Sequence, residues 1–144
     1  MSQVRDVFVA LNRSKVVYLL VGGLASVVHG VPRTTVDIDL FVRPTEANVG
    51  RSMRALRRVG LVSETEHLDD ILASGGVTFM NDQDVDVITD LPGADFGSLW
   101  RRRRLVAYQG IRVPMISRGD QIRLLRSAGR PQDLADADHL ENQD

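Results

Sequence analysis

The chain has 144 residues, 43% of them hydrophobic and 26% charged, with a formal net charge of -1. That length suits one domain with its own hydrophobic core, and the near-neutral balance gives no bulk attraction to nucleic acid or membrane. The absence of cysteine excludes disulfides, thiol nucleophiles and cysteine-bound zinc.

Val4, Val7, Phe8 and Leu11 recur at helical spacing, so residues 1–13 are expected to form an amphipathic helix; its scattered charges are unlike a secretory signal. Residues 16–21 form a β-branched apolar run and predict a buried strand. Gly22-Gly23 interrupts the apolar stretch that continues to Val28, so it is too short for an uninterrupted membrane span, and a cytoplasmic location is the default expectation. Residues 24–29 then form a short helix stopped by Gly30, with a turn at Pro32. In residues 36–42 the pattern alternates: Val36, Ile38, Leu40 and Val42 share one strand face, and Asp37, Asp39 and Phe41 the other.

Thr45 is placed to cap a helix over residues 46–59, with Val49, Met53, Leu56 and Val59 inward and Arg51, Arg54, Arg57 and Arg58 outward. Strands are expected at 61–65, 77–80 and 84–88, a helical turn at 67–72 and a short helix within 96–103. Gly110 separates 105–109 from 111–114 as a hairpin. Two closing helices follow at 119–127 and 134–140, the first stopped by Gly129, the second favoured by Pro131 and Asp133 at its start. The fold class expected is mixed α/β, a short mixed sheet flanked by helices. One domain spans 1–144, with its core at about 16–114 and the helical pair at about 117–142.

Chemistry concentrates in the acids. Asp37 and Asp39 on one strand face have Cβ atoms roughly 7 Å apart, an arrangement that a hard divalent cation or solvent must compensate. A second alternating segment, Asp84-Val85-Asp86-Val87-Ile88, offers a third acid. Asp86 is preferred to Asp84 because its apolar neighbours place it deeper in the strand. Gly22-Gly23, between strand and helix, lets backbone approach phosphate oxygens at a helix N-terminus. His29 reads first as a hydrogen-bonded structural residue. Arg101 to Arg104 read as a solvated helix end before an RNA contact, and Trp100 and Tyr108 as packing residues.

Gly22-Gly23-Leu24-Ala25, His29-Gly30, Arg33, Thr35 and Asp37-Ile38-Asp39-Leu40 together resemble the signature of the DNA polymerase β-type nucleotidyltransferases. The nearest likeness is to minimal bacterial members, including toxin components of abortive-infection and toxin–antitoxin systems. Ala128-Gly129-Arg130-Pro131-Gln132-Asp133 and Asp136 are similar to a recurring C-terminal pattern of that group. The resemblance implies transfer of a nucleoside monophosphate from a nucleoside triphosphate, with release of pyrophosphate. Asp37, Asp39 and Asp86 would hold Mg2+ or Mn2+ and serve catalysis. Gly22, Gly23, Arg33 and Thr35 would bind the nucleotide, although Arg33 could instead pair with an acid in its own loop. An RNA end such as that of tRNA, a protein hydroxyl or a small molecule would be the acceptor, and a cognate antitoxin a possible partner. Relatives often carry lysine where Gln132 stands and shortly before the Ala-Gly-Arg segment; Arg123 and Arg126 are the substitutes in sequence. The departures and the short chain also suit a weakly active binding module acting with a partner protein.

Overall fold

The structure, a computed structural model, describes residues 3–81 and 83–143. The first two residues of the expected N-terminal helix and Asp144 of the acidic tail lie outside the described residues. Seven strands form one mixed sheet in the order β3-β4-β5-β2-β1-β7-β6. Along the chain these are β1 (Tyr18–Val21), β2 (Ile38–Val42), β3 (Val62–Ser63), β4 (Gly76–Met80), β5 (Val85–Ile88), β6 (Arg104–Tyr108) and β7 (Ile111–Met115). The pairs β2–β5 and β1–β7 are parallel, and the others antiparallel. The helices are α1 (Gln3–Arg13), α2 (Gly22–His29), α3 (Glu46–Arg58), α4 (Leu68–Ser74), α5 (Phe96–Arg101), α6 (Arg118–Ala128) and α7 (Pro131–Glu141). No described helix is long and apolar enough to cross a membrane.

The main core takes in α1 as well as the sheet, because Val7, Phe8 and Leu11 are fully buried in it. Phe8 stacks on Tyr18 and meets Tyr108 edge-on, with ring centroids 6.2 and 5.7 Å apart. Each such buried aromatic or aliphatic side chain contributes about 1.5–3 kcal/mol. Thr45 accepts a hydrogen bond from the Asn48 amide and caps α3. On α3 Arg54 and Arg58 are exposed, whereas Arg51 and Arg57 are half-buried rather than fully outward.

Two strands are shorter than the alternation suggests, each for a local reason. The first begins at Tyr18, where the buried Asn48 side chain takes the Val17 amide at 2.8 Å and shares the Val17 carbonyl with the Arg43 amide. The second begins at Ile38, leaving Val36 72% exposed and Asp37 outside the ladder. Its partners run out there: β1 ends opposite Asp39, where α2 begins, and β5 starts opposite Ile38. The expected 61–65 strand is reduced to Val62–Ser63.

The final helices carry a second, smaller core of Val31, Leu125, Ala137 and Leu140. Gly129 ends α6 in the left-handed region, and Pro131 opens α7. The four arginines of the basic run are exposed, as a solvated helix end is, and two of them are held by neighbours. Arg102 forks onto the buried Asp120 at 2.8 and 3.0 Å, and the Arg103 guanidinium lies 4.0 Å from the Trp100 ring centroid.

Candidate active site

Strand register brings the acids together. Asp39 on β2 pairs with Asp86 on the parallel neighbour β5; across the same row Asp39 pairs with Val21 and Asp86 with Thr78. Paired residues share a sheet face. The row is therefore Thr78–Asp86–Asp39–Val21, and the Thr78 hydroxyl donates to Asp86 Oδ1 at 2.5 Å. Asp39 is half-buried beside Asp86. Burial first, then the hydrogen bond and charge of Asp86, push Asp39 up from 3.8 to about 7, while the Gly23 amide pulls it down.

The glycine pair is built around this acid. A Cβ on Gly22 would lie 2.0 Å from Asp39 Oδ2 and 2.8 Å from its Cγ, and Gly22 has φ +70°. Only glycine meets both the space and the backbone conformation at that point. A Cβ on Gly23 would lie 2.9 Å from Thr35 Oγ1 and 3.3 Å from Arg33 Nη2. Val21, the N-cap of α2, offers no capping side chain. The Asp39 carboxylate lies against that end of the helix, beside Gly22.

The acids form the floor of a cleft of about 740 Å³ that is lined by Gly22, Gly23, Arg33, Thr35, Asp37, Asp39 and Asp86. Asp84 is exposed and not among the lining residues; its carbonyl accepts from Ile38. The opposite wall comes from α6 and α7. Gln121, 1% exposed, donates to the Gly22 carbonyl and Ser26 Oγ, both at 2.9 Å, tying α6 to the glycine turn. Arg33 pairs with Asp136 of α7, Nη2 to Oδ2 at 2.7 Å and Nε to Oδ1 at 3.1 Å.

Gln121 and Thr78 carry no sequence signal, because their roles depend on which elements meet. Arg130 does lie in the C-terminal pattern; it lines the cleft, pairs with Asp133 and feels the charge of Asp39. Arg123 and Arg126 are not placed to substitute for lysine there. They line no part of the cleft and pair with Asp120, and with Asp138 and Glu141. His29 Nε2 lies 2.8 Å from the Ile116 carbonyl and outside the cleft lining, a structural placement.

No protein-family model and no curated protein sequence matches the chain. Solved structures do. The lincosamide antibiotic adenylyltransferase LnuA, in its lincomycin-bound crystal structure, has a TM-score of 0.69 at 19% identity, over 97% of this chain and 95% of its own. The fold is that of the nucleotidyltransferases. A putative nucleotidyltransferase from Thermotoga maritima gives 0.67 at 18% identity, covering 96% of this chain and 90% of its own. The antibiotic-resistance factor ANT(2'')-Ia gives 0.68 at 16% identity, over 96% and 80%. These likenesses run nearly end to end, so the nucleotidyltransferase fold includes α6 and α7.

A hard divalent cation suits the donor set on this fold: Asp39 and Asp86 gather carboxylate oxygens at one point, and the raised Asp39 records crowding that a cation would relieve. Among the described residues no three His, Cys, Asp or Glu side chains form a ready metal cluster. Asp37 acts on Asp39 through its charge but is not gathered in with the pair.

Proposed function

We propose that the chain is a metal-dependent nucleotidyltransferase that moves a nucleoside monophosphate from a nucleoside triphosphate to a hydroxyl on a small molecule. The observation that carries the reading is the in-register Asp39–Asp86 pair on the cleft floor, closed over by a glycine that only its own lack of a side chain permits. Mg2+ or Mn2+ held by Asp39 and Asp86, with Asp37 as the third acid, would supply Lewis-acid stabilisation of charge on the phosphates.

The chain's own residues do the rest. Gly22 makes room for the Asp39 carboxylate and Gly23 for Thr35 and Arg33, and all of them line the cleft that takes the phosphate chain. The acceptor oxygen attacks the α-phosphorus in line, and the bond from that phosphorus to the pyrophosphate oxygen breaks. The hydroxyl proton passes to a carboxylate of the acidic set, which serves as general base. Arg33 and Arg130 offset negative charge on the leaving pyrophosphate. A small-molecule acceptor is favoured over an RNA end or a protein because similar folds include a lincomycin-bound adenylyltransferase and an enzyme complexed with adenylyl-2''-tobramycin.

The test is incubation with each labelled triphosphate, Mg2+ or Mn2+ and a panel of hydroxylated small molecules, RNA and cell extract. Label is expected on a small molecule, with loss in Asp39→Ala and Asp86→Ala. Transfer that survives both substitutions would refute the assigned site. A second reading, a binding module that engages a partner such as an antitoxin, draws on the lack of a gathered three-acid cluster. Metal-dependent triphosphate binding without turnover on any acceptor would favour it.

A further inference from the structure

Arg33 and Asp136 are 103 residues apart in sequence, yet they form a two-pronged ion pair at the cleft wall. Asp136 is 2% exposed, and its Oδ1 also accepts from Gln132 Nε2 at 2.9 Å. The guanidinium gives one N–H to each oxygen of Asp136 and one to the Thr34 carbonyl. Five N–H groups are available on an arginine, so two remain unused. Nη2 stands 3.3 Å from where a Cβ on Gly23 would be, against the first turn of α2. Two side chains of α7 and one backbone carbonyl of the loop before β2 thus hold one positive charge over the glycine turn.

We propose that Asp136 and Gln132 are positioning residues that hold the Arg33 fork against the β- and γ-phosphates of the bound triphosphate. This rests on the nucleotidyltransferase reading and adds to it an assignment for α7. It also accounts for Gln132, where relatives often carry lysine. The glutamine brings no charge into the cleft; its amide fixes the acid that fixes the arginine. An arginine anchored on one edge keeps its other edge free and pre-oriented, so little side-chain entropy is lost when phosphate oxygens arrive. Asp136 itself touches no phosphate.

The ion pair could merely fasten the loop before β2 to α7, and the experiment separates the two roles. Binding of a nucleoside triphosphate and of the corresponding monophosphate, with Mg2+, is measured by calorimetry for the unaltered chain, Asp136→Asn, Gln132→Ala and Arg33→Lys. Thermal melting of each variant is followed alongside. Triphosphate affinity is expected to fall on the order of tenfold in Asp136→Asn and Arg33→Lys, and by less in Gln132→Ala, with monophosphate affinity unchanged. In transfer assays KM for the triphosphate rises in Asp136→Asn and Arg33→Lys, and kcat falls with it, because Arg33 also meets the leaving pyrophosphate. An equal loss for triphosphate and monophosphate, following a lowered melting temperature, would overturn the positioning role in favour of a fastening role. Tighter triphosphate binding by Asp136→Asn would also overturn it, since Asp136 would then be competing with phosphate. Failure of the unaltered chain to bind any triphosphate would instead sink the nucleotidyltransferase reading, and this assignment with it.

Discussion

Replacing Asp39 with asparagine tests what its burial and its acidic neighbours cost the fold. The substitution keeps the shape that fits against Gly22, but it cannot ionise. Asp39 rises from 3.8 to about 7 in the folded chain, chiefly through burial and then through Asp86. A folded value above the unfolded one gives stability that is complete below about pH 4 and is lost as pH rises towards 7. At 1.36 kcal/mol per pH unit the full loss is on the order of 4 kcal/mol, equivalent to about 10 °C of melting temperature for a chain this size. The assay is thermal unfolding of both proteins from pH 4 to 8.5 in a chelator, read as the difference between them so that other titrations cancel. The gap in favour of Asp39→Asn is expected to widen up to about pH 7 and then to level off. Added Mg2+ is expected to narrow it by stabilising only the unaltered chain. Parallel curves across this range would refute the argument that burial, with Asp86 beside it, raises Asp39.

Thr78→Val removes the hydroxyl that holds Asp86 Oδ1 while keeping a β-branched residue on β4; transfer is expected to slow on the order of tenfold, with Thr78→Ser retaining activity. Gly22→Ala sets a Cβ 2.0 Å from Asp39 Oδ2 at a positive φ. The backbone alone costs about 1–2 kcal/mol, and the displaced carboxylate abolishes transfer, read by melting and by labelled product. Burial, foremost, lowers His29 below its ordinary 6.5, so its neutral form stabilises the fold above that pH and the contribution is lost as pH falls. Relative to His29→Gln, the unaltered chain is therefore expected to lose melting temperature between pH 7.5 and 5, and superimposable differences at the two pH values would contradict this.

Much of the sheet was legible because its strands alternate or are uniformly apolar, as in Ile38–Val42 and Val85–Ile88. The acids were legible for the same reason: a carboxylate inside an apolar alternation has no packing role to explain it. Strand ends were less so. Whether Val17 or Val36 joins a ladder depends on Asn48 taking the backbone amide of one and on a partner strand ending beside the other. The glycine pair was visible, but the reason for Gly22 was not, because the atom it accommodates belongs to Asp39. The two readings of Arg33 could not be separated in sequence, since its acid lies on the last helix and not in its own loop. Thr78 and Gln121 needed register and helix docking before they meant anything.

The small separate core beneath α6 and α7 has a dynamic consequence. Val31, Leu125, Ala137 and Leu140 form a far smaller cluster than the main core, so the helical pair is expected to open at a lower free energy than the central sheet. One wall of the cleft therefore belongs to a region that can loosen while the acid floor stays folded. A ligand that touches both walls closes that opening, and amide exchange in α7 becomes a direct gauge of occupancy in a cleft whose acids lie on other elements.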